Sequence, residues 1–219
     1  MEIFLIAVLG GVLALDTTSV GQFMVSRPLV VGVLAGLVVG QPVLGATIGA
    51  ILELYLLVSF PTGGSRFPEG ATATVVAVAS SAGASGSGVL PLAIGLGLVW
   101  GQLGGASVTL LRHTNSKIVE ERTNGLNGVV WVVKRHLGAV TLDFFRGSLV
   151  TTLGVVLGRF GLPALSGSWP LGVPSSIGLL LVGGSVSAGI FLRDLGGFRQ
   201  RRTLFAVGIA LGIIGARLL

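Results

Sequence analysis

Two carboxylates bracket the segment of this chain that is best equipped to bind a polar molecule. Glu53 lies within the otherwise apolar run 43–60, and Glu69 ends the loop that follows, which reads Pro-Thr-Gly-Gly-Ser-Arg-Phe-Pro-Glu. A carboxylate at bilayer depth costs about 2.5–3.5 kcal/mol when it faces lipid, so it is expected to face protein or water. An irregular backbone is tolerated there only where protein buries it or where it lines a cavity. These features predict one wall of a polar site inside a membrane protein.

The loop between the two carboxylates supplies many hydrogen-bonding groups. It offers free amides, two hydroxyls and one guanidinium, and its glycines allow the backbone to approach a ligand closely. The candidate site residues in this loop are Thr62, Gly63, Ser65, Arg66 and Glu69. Structural alternatives stay open, because Arg66 can pair with Glu53 or Glu69. The Glu69 carboxylate can also stabilise the start of the next helix.

Glu53 shares one helix face with small and polar residues. Gln41, Gly45, Gly49 and Glu53 are spaced by four, which places them on the same side of a helix. We therefore expect another backbone to approach the Glu53 carboxylate closely. Glu53 has three possible roles. It accepts hydrogen bonds from a polar substrate, it titrates during transport, or it holds the following loop in place through an ion pair or a hydrogen bond.

A second polar stretch, residues 16–27, separates two short apolar segments. Asp16 and Gln22 in this stretch are candidates to face the same cavity as Glu53. The alternative is an interfacial loop in which Arg27 extends toward the lipid headgroups.

The composition indicates that the elements carrying these residues lie in a membrane. Hydrophobic residues make up 52% of the 219 residues and charged residues 10%, against about a quarter charged in soluble domains. Mean hydropathy is +0.95. Residues 70–111 carry no formal charge. As a helix, this stretch is long enough to cross a ~30 Å hydrocarbon core about twice. The 37 glycines favour close helix packing in lipid.

We therefore predict an all-α fold, a polytopic transmembrane helical bundle with short, Gly/Pro-interrupted and re-entrant helices. A single domain over residues 1–219 is expected, without a cleavable signal peptide. The hydropathy pattern predicts these segments: helices over 3–15, 28–40, 43–60, 71–82 and 89–111, two crossings within 138–192 broken at 161–170, and a last helix over 203–216.

The basic residues predict how the chain is oriented. The net charge is +6, and Lys and Arg cluster in the polar segment 112–136 and in a second loop at 193–202. Such clusters mark cytoplasmic loops, an interpretation we favour over nucleic-acid binding. The sequence thus predicts a multi-pass protein of the bacterial plasma (inner) membrane with both loops in the cytoplasm.

Enzymatic chemistry is not expected from this chain. With no cysteine, disulfides, thiolate metal sites and cysteine nucleophiles are excluded. His113 and His136 have no companion at metal-ligand spacing, and no hydrolase or phosphate-loop motif occurs. We predict no catalytic residue, no metal and no cofactor.

An ordered set of motifs resembles a known family. The set comprises Leu15-Asp16, Gln22-Phe-Met-Val-Ser-Arg-Pro-Leu29, Gly-x-x-Leu-Glu53-Leu and Pro61-Thr-Gly-Gly-Ser-Arg-Phe-Pro-Glu69. It resembles the IIC component, or permease subunit, of the mannose/fructose/sorbose family of sugar phosphotransferase systems. The resemblance is close over residues 13–77, and beyond them mainly hydropathy agrees.

The resemblance implies a function and partners. A IIC subunit translocates sugar together with a membrane IID subunit, and a cytoplasmic IIB subunit, charged through IIA, phosphorylates the sugar. An oligomeric assembly in the lipid bilayer is expected. Carried over, the residues that hold sugar hydroxyls are Glu53, Thr62, Gly63, Ser65, Arg66 and Glu69, with Gln22 and Asp16 as further candidates. Arg66 departs from the family pattern, which leaves room for an acidic or amino-substituted sugar. The alternative functions are a stand-alone small-solute transporter and a vestigial regulatory membrane protein without phosphotransfer.

The predicted orientation can be tested with one thiol. Because the chain has no cysteine, Lys117→Cys creates a single reactive site within the predicted cytoplasmic segment. A membrane-impermeant maleimide should label it only after the cells are opened. Labelling from outside intact cells would contradict the orientation.

Overall fold

The computed structural model describes residues 1–57, 59, 65–120 and 128–218, and in these ranges every regular element is a helix. In chain order the helices are α1 (Glu2–Thr18), α2 (Pro28–Val38), α3 (Pro42–Tyr55), α4 (Gly70–Ser81), α5 (Val89–Glu120), α6 (Val129–Gly167), α7 (Val173–Asp194), α8 (Gly197–Gln200) and α9 (Arg202–Leu218). By length and composition, α5, α6 and α7 can each cross a membrane. The prediction of an all-α transmembrane bundle with short, interrupted helices is confirmed.

Helices α2 and α3 form a short antiparallel hairpin. Each begins with a proline, whose fixed φ suits the first helical turn. The turn between them uses Gly40 at φ +74°, a conformation that costs glycine little. With 11 and 14 residues, the two helices rise about 16 and 21 Å, less than a ~30 Å hydrocarbon core.

Glycines hold the two helices of this hairpin in backbone contact. A Cβ built on Gly36 would lie 2.8 Å from the Gln41 carbonyl oxygen, and one on Gly45 would overlap the Gly32 carbonyl oxygen. Close packing of this kind is typical of helices in lipid. It confirms the expectation that a backbone approaches Glu53, because the amide of Leu29 at the start of α2 donates to Glu53 Oε2 at 3.3 Å.

Helix α4 forms the centre of the bundle. Every residue from Ala71 to Ser81 is buried, as expected for a helix without a polar face. It packs against α1, α2, α3, α5 and α6. Its N-terminal end therefore meets the ends of several other helices, and a cavity lies there.

Three predicted boundaries are wrong. Helix α3 ends at Tyr55, although the apolar run continues: Leu56 has left helical geometry (φ −101°, ψ 13°) and lines a cavity. The predicted break at 161–170 falls largely within α6, which continues through Pro163 to Gly167. A proline costs a helix about 3 kcal/mol, and burial of Leu162 and Ser166 beside it favours the continuous helix. Within the polar segment 112–136, residues 112–120 are helical at the end of α5 and residues 129–136 are helical at the start of α6.

The glycine contact in the hairpin predicts a mutational effect. Gly45→Ala inserts a methyl group against the Gly32 carbonyl, and overpacking of this kind costs about 1–3 kcal/mol. We expect a lower thermal unfolding midpoint in detergent. Gly95→Ala is the matched control, since nothing lies within 4 Å of its Cβ position in α5. Equal midpoints for the two variants would contradict the packing.

Candidate solute cavity and its buried ion network

A cavity of about 260 Å³ opens where α1 and α3 end and α2 and α4 begin. This volume is just below the ~300–1,000 Å³ typical of pockets for drug-sized ligands, so the cavity suits a smaller solute. Its polar wall consists of Asp16, Thr17, Gln22, Ser26, Arg27, Glu53 and Ser59. Its apolar wall includes Pro28, Leu56, Phe67, Pro68 and Ala71.

The predicted site residues Asp16, Gln22 and Glu53 thus come together in one cavity, although they lie on three different parts of the chain. The reason is the antiparallel hairpin of α2 and α3. It returns the end of α3, with Glu53, to the beginning of α2 and to the loop that leaves α1.

Glu53 is paired with Arg27 rather than with Arg66. Arg27 Nη2 donates to Glu53 Oε1, and the two side chains keep 36% and 20% of their surface exposed. The sequence alternative that paired Arg66 with Glu53 is wrong, because helix packing places Arg27, at the N-terminus of α2, beside the end of α3. The exposure that remains lets both charges reach a ligand in the cavity.

Asp16 shapes the cavity wall. Its two carboxylate oxygens accept the backbone N–H groups of Phe23 and Ser26, each at 2.7 Å. These bonds fold the loop after α1, in which Gln22 and Met24 adopt φ of +53° and +64°. Non-glycine residues in this region cost about 1–3 kcal/mol each and persist where the surroundings determine them. Asp16 is 8% exposed, so it combines a structural role with a place in the wall.

Glu69 lies behind this wall and does not line the cavity. It is fully buried, and Arg146 binds it with two bonds: Nη2 to Oε1 at 2.7 Å and Nη1 to Oε2 at 3.1 Å. Thr72 Oγ1 donates to Oε2 at 2.9 Å. The pairing of Glu69 with Arg66 is therefore wrong. Glu69 is the N-cap residue of α4, so its charge lies at the helix start as the sequence alternative requires, although its side chain makes no capping bond to the helix amides.

Arg146 also binds a second buried carboxylate, that of Asp143. Arg146 Nε donates to Asp143 Oδ1 at 2.9 Å, and Asp143 Oδ2 accepts hydroxyl groups from Thr18, at 3.0 Å, and Ser19. Ser107 Oγ accepts from Arg146 Nη1 at 2.8 Å. One guanidinium thus ties α6 to α5, to the start of α4 and, through Asp143, to the end of α1.

Sequence reasoning missed Asp143 and Arg146 as site residues. The signal was present, because the two opposite charges stand three residues apart inside an apolar crossing. Ionisable residues within membrane helices are functional candidates by default. That argument singled out Glu53 and applies equally to this pair.

The remaining predicted residues lie elsewhere. Ser65 is exposed, and its carbonyl oxygen accepts a hydrogen bond from Arg112 Nη1 at 3.2 Å. Arg66 faces a second cavity of about 560 Å³, together with His113. Thr62 and Gly63 fall outside the described residues.

A sequence profile of a known protein family matches residues 1–159. The profile describes the "PTS system sorbose-specific iic component" and covers every cavity and network residue named above. The chain belongs to the sorbose-type IIC family. The resemblance found in the sequence is thereby confirmed.

Individual relatives agree with this assignment. The sorbose-specific EIIC component of the phosphotransferase system of Lacticaseibacillus casei is 25% identical over 161 aligned residues, and the match covers 71% of this chain and 56% of the relative. This IIC-family chain thus matches little more than half the length of that curated protein.

Two solved structures share the fold of this IIC-family chain. One, described as the structure of a membrane protein, has a TM-score of 0.75 at 17% identity. The other, a cryo-EM structure of the mannose transporter ManYZ with microcin E492 (MceA), has a TM-score of 0.61 at 16% identity. Each comparison covers 99% of this chain and 92% of the solved chain.

The buried network predicts unequal roles for two arginines of α6. Arg146→Met leaves Glu69 and Asp143 without their cation, and breaking a buried pair costs about 3–5 kcal/mol. Arg159→Met is the matched control, because it leaves no buried carboxylate unpaired: its carboxylate partner Glu2 is 45% exposed, and exposed pairs contribute about 0–1 kcal/mol. Arg159 Nε also donates to the Ala79 carbonyl at 3.0 Å. Thermal unfolding in detergent should show a much larger loss for Arg146→Met. Similar losses for both variants would contradict the assigned network.

Proposed function

We propose that this IIC-family chain is the sugar-translocating membrane subunit of a phosphoenolpyruvate-dependent phosphotransferase system, and that the sugar binds in the 260 Å³ cavity. The observation that carries the proposal is the convergence of Asp16, Gln22, Arg27 and Glu53 on that one cavity. Membership of the sorbose-type IIC family supports it.

The cavity wall suits the groups that a sugar presents. Sugar hydroxyls donate to carboxylates and accept from amide or guanidinium groups, and bonds to charged groups are worth about 1.5–3 kcal/mol each. The Asp16 oxygens accept the backbone amides of Phe23 and Ser26, and a carboxylate has about four acceptor positions in all. Glu53 and Arg27 keep part of their surface exposed. The apolar wall, with Phe67 and Leu56, can pack against the C–H face of the sugar ring.

Glu69 acts from behind the wall in this proposal. Held by Arg146, it fixes the segment that runs from Phe67 into α4, and with it the side of the cavity formed by Pro68 and Gly70. The roles of Thr62 and Gly63 as sugar ligands stay predictions from the sequence.

The position of the cavity supports delivery to a cytoplasmic partner. Arg112, in the polar part of α5, bonds the Ser65 carbonyl and covers the Phe67 ring. The cavity therefore lies at the same end of the bundle as the polar segment that is expected in the cytoplasm. We propose a multi-pass protein of the bacterial plasma membrane, one domain over residues 1–219, that pairs with IID. IIA and IIB supply the phosphoryl group, so this chain transports the sugar and is not itself the catalyst.

Sugar uptake in cells that hold the IIA, IIB and IID partners tests this proposal. Glu53→Gln removes a charged acceptor and the partner of Arg27, and uptake should fall about tenfold or more, since 1.4 kcal/mol is a factor of ten. Glu2→Gln is the matched control, because it breaks the Glu2–Arg159 pair at the other end of α1. Undiminished uptake by Glu53→Gln would contradict the assigned cavity. Accumulation of unphosphorylated sugar by the wild type would instead favour a stand-alone transporter.

A further inference from the structure

A second cavity adjoins the first and shares one wall with it. Phe67 and Pro68 line both cavities, the first on the side of α1 and α3 and the second on the side of α5. The second cavity has a volume of about 560 Å³, within the ~300–1,000 Å³ range of small-molecule sites. A molecule that leaves the first cavity around this shared wall would therefore meet the second.

The two cavities differ in charge. The wall of the first carries two carboxylates, Asp16 and Glu53, and one guanidinium. The described residues that line the second include Arg66 and His113 and no carboxylate. Among the described residues, no acidic side chain pairs with Arg66. The first cavity is thus suited to a neutral polyol and the second to an anion.

The side chains that line the second cavity can donate hydrogen bonds to the oxygens of an oxyanion. A guanidinium presents several N–H groups in a planar fork that fits phosphate oxygens. The His113 imidazole donates an N–H in either protonation state, and the Gln102 amide adds two more donors. Gln102 lines this cavity as well.

The backbone of the segment that carries Arg66 is held by hydrogen bonds to α5 on both sides of that residue. Arg112 Nη1 bonds the carbonyl of Ser65, and its guanidinium lies 5.5 Å from the centre of the Phe67 ring. On the other side, the amide of Glu69 donates to the Gly101 carbonyl at 2.8 Å. Arg66 therefore extends from a backbone that is fixed on both sides, which favours a defined position for an anion.

We propose that the second cavity binds the phosphate group of a sugar phosphate. This inference rests on the proposed function, under which a neutral sugar enters the first cavity and becomes a phosphate monoester. The new negative charge disfavours the carboxylate-lined cavity and favours the one with Arg66 and His113. The second cavity then serves as the site that the product occupies before its release.

Equilibrium binding to the full chain in phosphatidylcholine nanodiscs tests the proposal. The probes are inorganic phosphate and fructose 6-phosphate, followed by titration calorimetry. Both should bind saturably, and Arg66→Gln should weaken each about tenfold, the effect of losing one charge-assisted hydrogen bond. His113→Gln keeps a donor without the imidazole and should weaken binding less. No saturable binding of either probe would overturn the proposal.

Lys117→Gln is the matched control. Lys117 is exposed one helical turn beyond His113 on α5 and does not line the cavity, so this variant should bind both probes as the wild type does.

A loss of affinity in Lys117→Gln equal to that of Arg66→Gln would show that phosphate is attracted to a generally basic surface, and would overturn the site. Equal affinity for glucuronate would show a carboxylate site instead. Complete inhibition by phosphatidylglycerol in the nanodisc would assign the cavity to a lipid headgroup. Either result contradicts the proposal.

Glu53→Gln separates this inference from the proposed function. It removes a carboxylate from the first cavity only, so phosphate binding should persist while sugar uptake falls. Phosphate binding that persists together with undiminished uptake would contradict the sugar cavity and leave the phosphate site standing. Loss of phosphate binding in Glu53→Gln would show that the two cavities are not separate sites and would overturn the inference.

Discussion

The guanidinium of Arg146 is the contact on which the organisation of this bundle depends. It binds Glu69 at the start of α4 and Asp143 on its own helix, and Asp143 in turn accepts hydroxyls from the end of α1. Away from water, each of these charges would be too costly alone, and breaking such a pair leaves an uncompensated charge. The three charged groups therefore restrict how α1, α4 and α6 can pack. This packing fixes the place where the solute cavity can form.

The network and the cavity divide the polar chemistry between them. Glu69 and Asp143 are 0% and 1% exposed, and their bonds are made within the protein. Glu53 and Arg27 pair at the cavity surface and remain partly exposed. Satisfied groups give rigidity, whereas groups with unused hydrogen-bonding capacity can exchange a protein partner for a ligand. The buried Glu69–Arg146–Asp143 network is therefore structural, and the partly exposed Arg27–Glu53 pair is the one we propose to recognise the solute.

Much of the local structure was predictable from the sequence, because it depends on local signals. Prolines at the starts of α2 and α3 and the glycine turn at Gly40 define the hairpin. The spacing of Gly45, Gly49 and Glu53 predicted the face on which α2 packs. Asp16 and Gln22 were candidates to share a cavity with Glu53, with an interfacial loop as the alternative, and all three residues line one cavity.

The ion pairs could not be predicted in the same way. Glu69 needs a cation, but the sequence does not say which one, and the nearest candidate, Arg66, is not the partner. Arg146 lies 77 residues away, and only the packing of α6 alongside α4, with both helices running in the same direction, brings it close. The effect of Pro163 could not be predicted either. Proline tends to end a helix, but the packing of α6 outweighs that local preference and the helix continues through it. Ion-pair partners and helix ends that depend on contacts between distant helices cannot be predicted from residue spacing and composition.

Solute protection of a single thiol tests the central claim most directly. Ser26 lines the cavity, and Ser26→Cys places the only cysteine of the chain there while its backbone amide can still bond Asp16. The account predicts that the transported sugar slows modification of this thiol by a small polar reagent. It also predicts no change at Ser85→Cys, in the loop at the opposite end of α4. Equal modification of Ser26→Cys with and without the sugar would contradict a solute site in this cavity.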